Sequence, residues 1–160
     1  MTTYRSKIDL PEATRLEIVS ILNQQLADTI DLYSQVKQAH WNVKGRQFIA
    51  LHELFDTLAG EATGYADDLA ERATAFGGVA IGTSRAVAGR SRLPELNLGA
   101  LPGDEALTAL AERYAQLAAS TRKAIETTGG LGDAGTSDLF TGISRGLDKS
   151  LWLLEAHLQG

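Results

Sequence analysis

Residues 12–45, EATRLEIVSILNQQLADTIDLYSQVKQAHWNVKG, decide the fold class. Leu16, Val19, Leu22, Leu26, Ile30, Tyr33 and Val36 recur at spacings of three and four, the period of one helix face. Pro11 stands where a helix can begin, since its missing N–H costs nothing there. The spacing predicts a helix from Glu12 to about Lys37, with His40–Gly45 as its end and turn. A second stretch runs from about Gln47 to Phe76 and closes at Gly77-Gly78, a good C-terminal stop.

Working outward, the acidic pair Asp104-Glu105 opens a third amphipathic stretch to about Thr127, placed to complement a helix N-terminus. Gly129 to Gly135 reads as a loop. A fourth stretch, about Thr136 to Leu158, sets Leu139, Ile143, Leu147, Leu151 and Leu154 on one face. Between the pairs lie residues 79–102, carrying two of the three prolines, which read as a long crossover with a short helical piece. Two helices joined by a short turn, a long crossover and two more helices give an all-α chain, the ferritin-like version of the four-helix bundle. At 160 residues it is expected to be a single domain, 1–160, with residues 1–10 as a short N-terminal extension.

Composition removes several chemistries. There is no cysteine, hence no disulfide framework, thiol nucleophile, iron–sulfur cluster or Cys-based zinc site, and the only methionine is the initiator. The longest apolar runs, Phe48–Leu51 and Leu151–Leu154, are four residues, so nothing is expected to span a membrane. No apolar segment of signal-peptide length opens the chain, which points to the cytoplasm.

The second helix carries the chemistry. At ~100° per residue, His52, Asp56, Asp67 and Glu71 share a stripe only about 100° wide. Imidazole with carboxylates suits a borderline or hard divalent metal such as iron, manganese or zinc. A solvated acidic face is the plainer reading, weakened because Leu51, Leu54, Leu58 and Leu69 already claim much of the helix. Asp56 and Asp67 lie about 16 Å apart along a straight axis, too far to hold one ion. Two copies of the helix, antiparallel across a two-fold axis near residues 61–62, would bring His52 and Asp56 of one beside Asp67 and Glu71 of the other. Ala59, Gly60, Ala62 and Gly64 would permit the close approach, giving two identical shared sites per dimer. No Glu-x-x-His pair exists anywhere in the chain, so a di-iron site inside one bundle is not expected.

The run His40-Trp41-Asn42-Val43-x-Gly45-x-x-Phe48-x-x-x-His52-x-x-x-Asp56, followed by Asp67-x-x-x-Glu71-Arg72, resembles the signature of the Dps mini-ferritins, the DNA-protecting proteins of starved bacterial cells. Gly77-Gly78-Val79-Ala80-x-Gly82-Thr83 and Ser144-Arg145-x-Leu147-Asp148-Lys149-x-Leu151-Trp152 are similar to the same family. The likeness runs from about Leu16 to Leu158. It implies a hollow homo-dodecamer, a ferroxidase that oxidises Fe(II), preferentially with hydrogen peroxide rather than oxygen, and stores Fe(III) mineral. It also implies that His40, His52 and Asp56 come from one subunit and Asp67 and Glu71 from its two-fold partner, with two irons per shared site and zinc or manganese as substitutes. Five side chains cannot saturate two octahedral ions, so one iron is expected to bind more tightly than the other. Glu53 matches a residue tied to mineral nucleation, although Thr57 stands where some members have a second Glu. Trp41 is either an interface aromatic or a trap for stray oxidising equivalents. Trp152 is expected in the core and His157 on the surface.

The resemblance also implies an acidic iron pore near the start of the fourth helix, for which Asp133 and Asp138 are the candidates and Asp148 a lesser one; capping is the competing role for acids there. The alternative function is DNA binding and compaction at the nucleoid. Against it, residues 1–10 hold only Arg5 and Lys7, opposed by Asp9, and no basic extension follows the last helix. The net charge is −5, so twelve subunits would carry about −60 and repel a polyanion. The one basic cluster, Arg85, Arg90 and Arg92, reads as a solvated loop. DNA binding is therefore expected to be weak or absent.

Overall fold

A computed structural model describes residues 3–159; Met1 and Thr2 of the expected extension, and Gly160, lie outside the described residues. Among the described residues there are five helices: α1 Glu12–Asn42, α2 Phe48–Ala75, the short α3 Ser84–Ala88, α4 Gly103–Gly130 and α5 Ala134–Ala156. The pairs α1/α2 and α4/α5 are hairpins that pack into the expected four-helix bundle, and α3 is the helical piece of the crossover. Strands β1 Val43–Lys44 and β2 Leu101–Pro102 pair in parallel, Val43 opposite Leu101, and tie the end of α1 to the start of α4. The crossover therefore returns along the whole bundle.

Most of the predicted apolar residues meet in one core; Tyr33 does not, being exposed while its neighbour Leu32 is fully buried. Leu22, Leu26, Phe55, Leu58, Leu110 and Phe140 are all fully or almost fully buried in it. Two boundaries differ from the sequence reading. The first helix runs past Lys37 to Asn42, because Ala39 and His40 are buried and the Val43 N–H still donates to Ala39 O. The turn comes at Gly45, whose φ of 122° favours glycine. Gly129 and Gly130 are helical, not loop: buried Thr128 holds the last turn of α4 against the core, outweighing the ~1 kcal/mol cost of each glycine. Gly132, at φ 84°, makes the stop instead.

Trp152 corrects another expectation, being 62% exposed rather than in the core. The buried stripe of α5 is Phe140, Ile143, Leu147 and Leu154, and Trp152 lies about 140° around the helix from Leu147. Leu139 and Leu151 are only half-buried at the edge of that stripe. His157 is exposed as expected, its Nδ1–H donating to Leu153 O.

At the far end of α2 the chain from residue 3 lies against the Gly77-Gly78 turn. Tyr4 N–H donates to Gly77 O at 2.7 Å, and Arg15 donates to Phe76 O and Leu10 O. Gly78 leaves no room for a side chain: a Cβ would stand 2.5 and 2.7 Å from the two methyls of buried Val19 and 3.0 Å from Ala73 O. Gly78→Ala is expected to destabilise the fold by about 1–3 kcal/mol, because overpacking here pushes on a helix core and a backbone carbonyl. Thermal unfolding of the purified variant measures it.

Candidate metal centre

Three of the five metal-ligand candidates, His40, His52 and Asp56, sit on the facing ends of α1 and α2. His40 and His52 stack with ring centroids 3.7 Å apart and planes 20° from parallel. Each ring is oriented by the other's backbone: His40 Nδ1 lies 2.7 Å from His52 O, and His52 Nδ1 lies 2.8 Å from His40 O. A carbonyl only accepts, so both Nδ1 atoms carry the proton and both Nε2 lone pairs remain for a metal. His40 is buried and His52 half-buried, so the pair is held by packing as well.

One turn further along α2, Asp56 is exposed and its Oδ1 accepts from Lys37 Nζ at 2.7 Å. The Lys37 hydrogen bond and charge hold the Asp56 carboxyl below the ordinary carboxylate range, so it is an anion at neutral pH. Lys37 Nζ also lies 5.7 Å from the Trp41 ring centroid. Trp41 is 62% exposed, which places it on the surface of the single chain. Sequence reasoning missed Lys37, although its spacing of three to His40 and four to Trp41 puts it on their helix face.

Asp67 and Glu71 are exposed on the same outer face of α2, three turns from Asp56. Among the described residues, no three His, Asp or Glu side chains of one chain converge to hold a metal ion. The candidates thus fall into two separate groups on the chain, His40/His52/Asp56 and Asp67/Glu71. Between them Gly60 and Gly64 are exposed with open space where a Cβ would stand. Ala59 and Ala62 were expected beside them but are buried in the chain's own core, so the outward small residues are the two glycines. Beside Asp67 lies a shallow, largely apolar depression lined by Leu26, Ile30, Thr63, Gly64, Ala70 and Gly82.

The chain resembles known proteins along nearly its whole length. Residues 19–160 match the family described as a ferritin-like domain. The DNA protection during starvation protein of Agrobacterium fabrum is 45% identical over 99% of this chain and 98% of its own length. The chain belongs to the Dps family of mini-ferritins. The Brevibacillus brevis protein of the same name is 33% identical over 89% of this chain and 95% of its own. Among solved Dps structures, the tetragonal form from Mycobacterium smegmatis superposes with a TM-score of 0.94 at 30% identity, covering 99% of this chain and 95% of that one. DpsC from Streptomyces coelicolor gives 0.95 at 33%, covering 99% and 93%.

The remaining Dps-site candidates fall in separate places. Glu53 is exposed next to His52. Asp133 is buried and fully engaged: it caps α5 by accepting from Gly135 N and Thr136 N, accepts from Thr136 Oγ1, and pairs with Arg72 Nη2 at 3.1 Å. Asp138 is exposed on the first turns of α5, and Asp148 pairs with Arg122 at 2.8 Å. The basic cluster is thinner than it read. Arg92, although exposed itself, is committed to buried Asp28; the other two members, Arg85 and Arg90, are exposed. Inside the bundle, Glu61 accepts from Ser150 Oγ at 2.9 Å; burial first, and the Glu61 charge second, push the Tyr65 and Tyr114 phenols up. Among the described residues, no helix is long and apolar enough to cross a membrane.

Proposed function

We propose that this Dps-family chain is a ferroxidase and iron store whose oxidation sites form between two-fold-related subunits. One observation carries the reading: two stacked imidazoles with free Nε2 atoms stand beside an ionised Asp56, while the complementary carboxylates, Asp67 and Glu71, lie on the same outer face three turns away. Packing α2 antiparallel on a second copy joins the half-sites, with Gly60 and Gly64 allowing the helices to approach and the apolar depression beside Asp67 meeting the partner. Two nitrogens and three carboxylates favour Fe(II) and stabilise Fe(III) after it forms; zinc and manganese suit the same donors.

Two Fe(II) held together can deliver both electrons that hydrogen peroxide needs, giving two Fe(III) and two waters with uptake of two protons. A lone Fe(II) supplies one electron and releases a hydroxyl radical, so pairing the substrate ions is itself protective. The Dps resemblance extends the proposal to a hollow dodecamer, to nucleation at Glu53 and to an acidic uptake path. Asp138 is the free acid for that path, since Asp133 is occupied as a cap and ion pair. The work would be done in the cytoplasm, where DNA lies. Anaerobic loading with Fe(II), then separate challenge with peroxide and oxygen, tests the reading. His52→Ala and Asp67→Ala are expected to lower the fast oxidation at least tenfold, with peroxide the better oxidant for the wild type. Equal rates in all three proteins would overturn it.

DNA binding is the second reading, prompted by the names of the relatives. The charge of −5 per chain and the commitment of Arg92 to Asp28 oppose it. In a mobility-shift titration at physiological salt, duplex DNA is expected to remain free at micromolar protein; tight binding near neutral pH would reverse the conclusion.

A further inference from the structure

Lys37 has no part in ligation at the candidate centre, yet it holds a candidate ligand. Its Nζ is 2.7 Å from Asp56 Oδ1, and the Lys37 side chain is only 19% exposed against 62% for Asp56. A lysine on an open surface trades its carboxylate for water at little cost. Here most of the stem is packed, so the ammonium stays near the carboxylate. The imidazole Nδ1–H groups cannot take it over, because they are donors already spent on carbonyls and an ammonium only donates. The face of Trp41, 5.7 Å from Nζ, is within the range at which a cation is attracted to an aromatic ring.

We propose that Lys37 is a positioning residue for metal loading: its ammonium is a resident cation on Asp56, which a divalent ion displaces and which then rests on the face of Trp41. The inference rests on the shared-site reading and adds to it an exchange step. A divalent ion brings twice the charge of the ammonium and takes Asp56 from it. A monovalent ion brings no such advantage over the ammonium. The displaced ammonium remains close to the incoming ion and repels it, which keeps affinity down. Trp41 offsets part of that loss by giving the ammonium a second partner.

Calorimetric titration of the assembled protein with zinc(II), at low ionic strength and without oxidant, tests the exchange. Lys37→Met and Lys37→Gln, each removing the charge while keeping much of the stem, are expected to bind about 3- to 10-fold more tightly than wild type. Lys37→Arg keeps the charge and is expected to bind no more tightly than wild type, which a purely structural role would not require. Trp41→Leu is expected to weaken binding about 2- to 5-fold when Lys37 is present and to have no effect in the Lys37→Met background. Binding by Lys37→Met and Lys37→Gln within twofold of wild type, both with native helix content and assembly size, overturns the inference. So does an equal effect of Trp41→Leu in the two backgrounds. If wild type binds no zinc and His52→Ala is indistinguishable from it, the shared site itself fails and the exchange with it. Binding that His52→Ala abolishes but Lys37→Met leaves unchanged removes the exchange alone.

Discussion

Co-assembling equal amounts of His52→Ala and Asp67→Ala subunits is expected to restore about a quarter of the wild-type fast oxidation rate, although each variant alone has lost it. The number follows from the geometry. Random pairing makes about half of the dimers mixed. In a mixed dimer one shared site receives both substitutions. The other receives His52 from the Asp67→Ala chain and Asp67 from the His52→Ala chain, and is complete. One intact site of two, in half the dimers, gives the quarter. The experiment requires dissociating and reassembling the variants together, with the mixed species verified by mass. A site contained in one chain would give no recovery at any mixing ratio, because every chain would still lack a ligand. Recovery near a quarter would also count the ligands as coming from two subunits without any metal-bound structure.

That result would confirm a feature legible in the sequence, and the reason it was legible is physical. The angular position of a residue on a straight helix follows from its number, so His52, Asp56, Asp67 and Glu71 could be set on one stripe before any packing was known. All four lie on or at the edge of the solvent-facing side of α2. The stops at Gly45 and Gly77 were legible for a similar reason, since both take positive φ. What depends on the register of two helices was not legible. The reciprocal hydrogen bonds of His40 and His52 need residues twelve apart to face each other across the α1/α2 hairpin. The Lys37–Asp56 pair needs the same register. Trp152 was misplaced because hydrophobicity alone suggests burial, whereas its angle on α5 decides the matter. Asp133 shows how a local role competes with a functional one: an acid before a helix is claimed first by its own N–H groups, and Arg72 completes its shell.

The largest stability effect is expected at a residue that no sequence pattern marked. Asp28 sits in the apolar run of α1 and is 1% exposed, an expensive place for a carboxylate. Its oxygens accept from Arg92 N at 2.8 Å, Arg92 Nε at 2.9 Å, Arg92 Nη2, and Gln24 Nε2 at 3.2 Å. The same stretch of crossover is held on both sides. Gln24 donates to Arg90 O, Gln116 donates to Arg92 O, and Ser91 Oγ donates to Asp31. Asp28 is thus the anion around which the returning crossover is fastened to α1 and α4. Asp28→Ala removes that anion and strands four donors, one of them a backbone N–H. The expected loss is about 3 kcal/mol, a fall of roughly 6–12 °C in the midpoint of thermal unfolding. The comparison that isolates the cause is the double variant Asp28→Leu, Arg92→Leu. Removing both charges leaves only the Gln24 and Arg92 backbone donors to be resatisfied, so the double variant is expected to be more stable than Asp28→Ala. A double variant that unfolds at a lower temperature than the single one would mean that the packing of the Arg92 stem, and not the pairing of the charges, fastens the crossover.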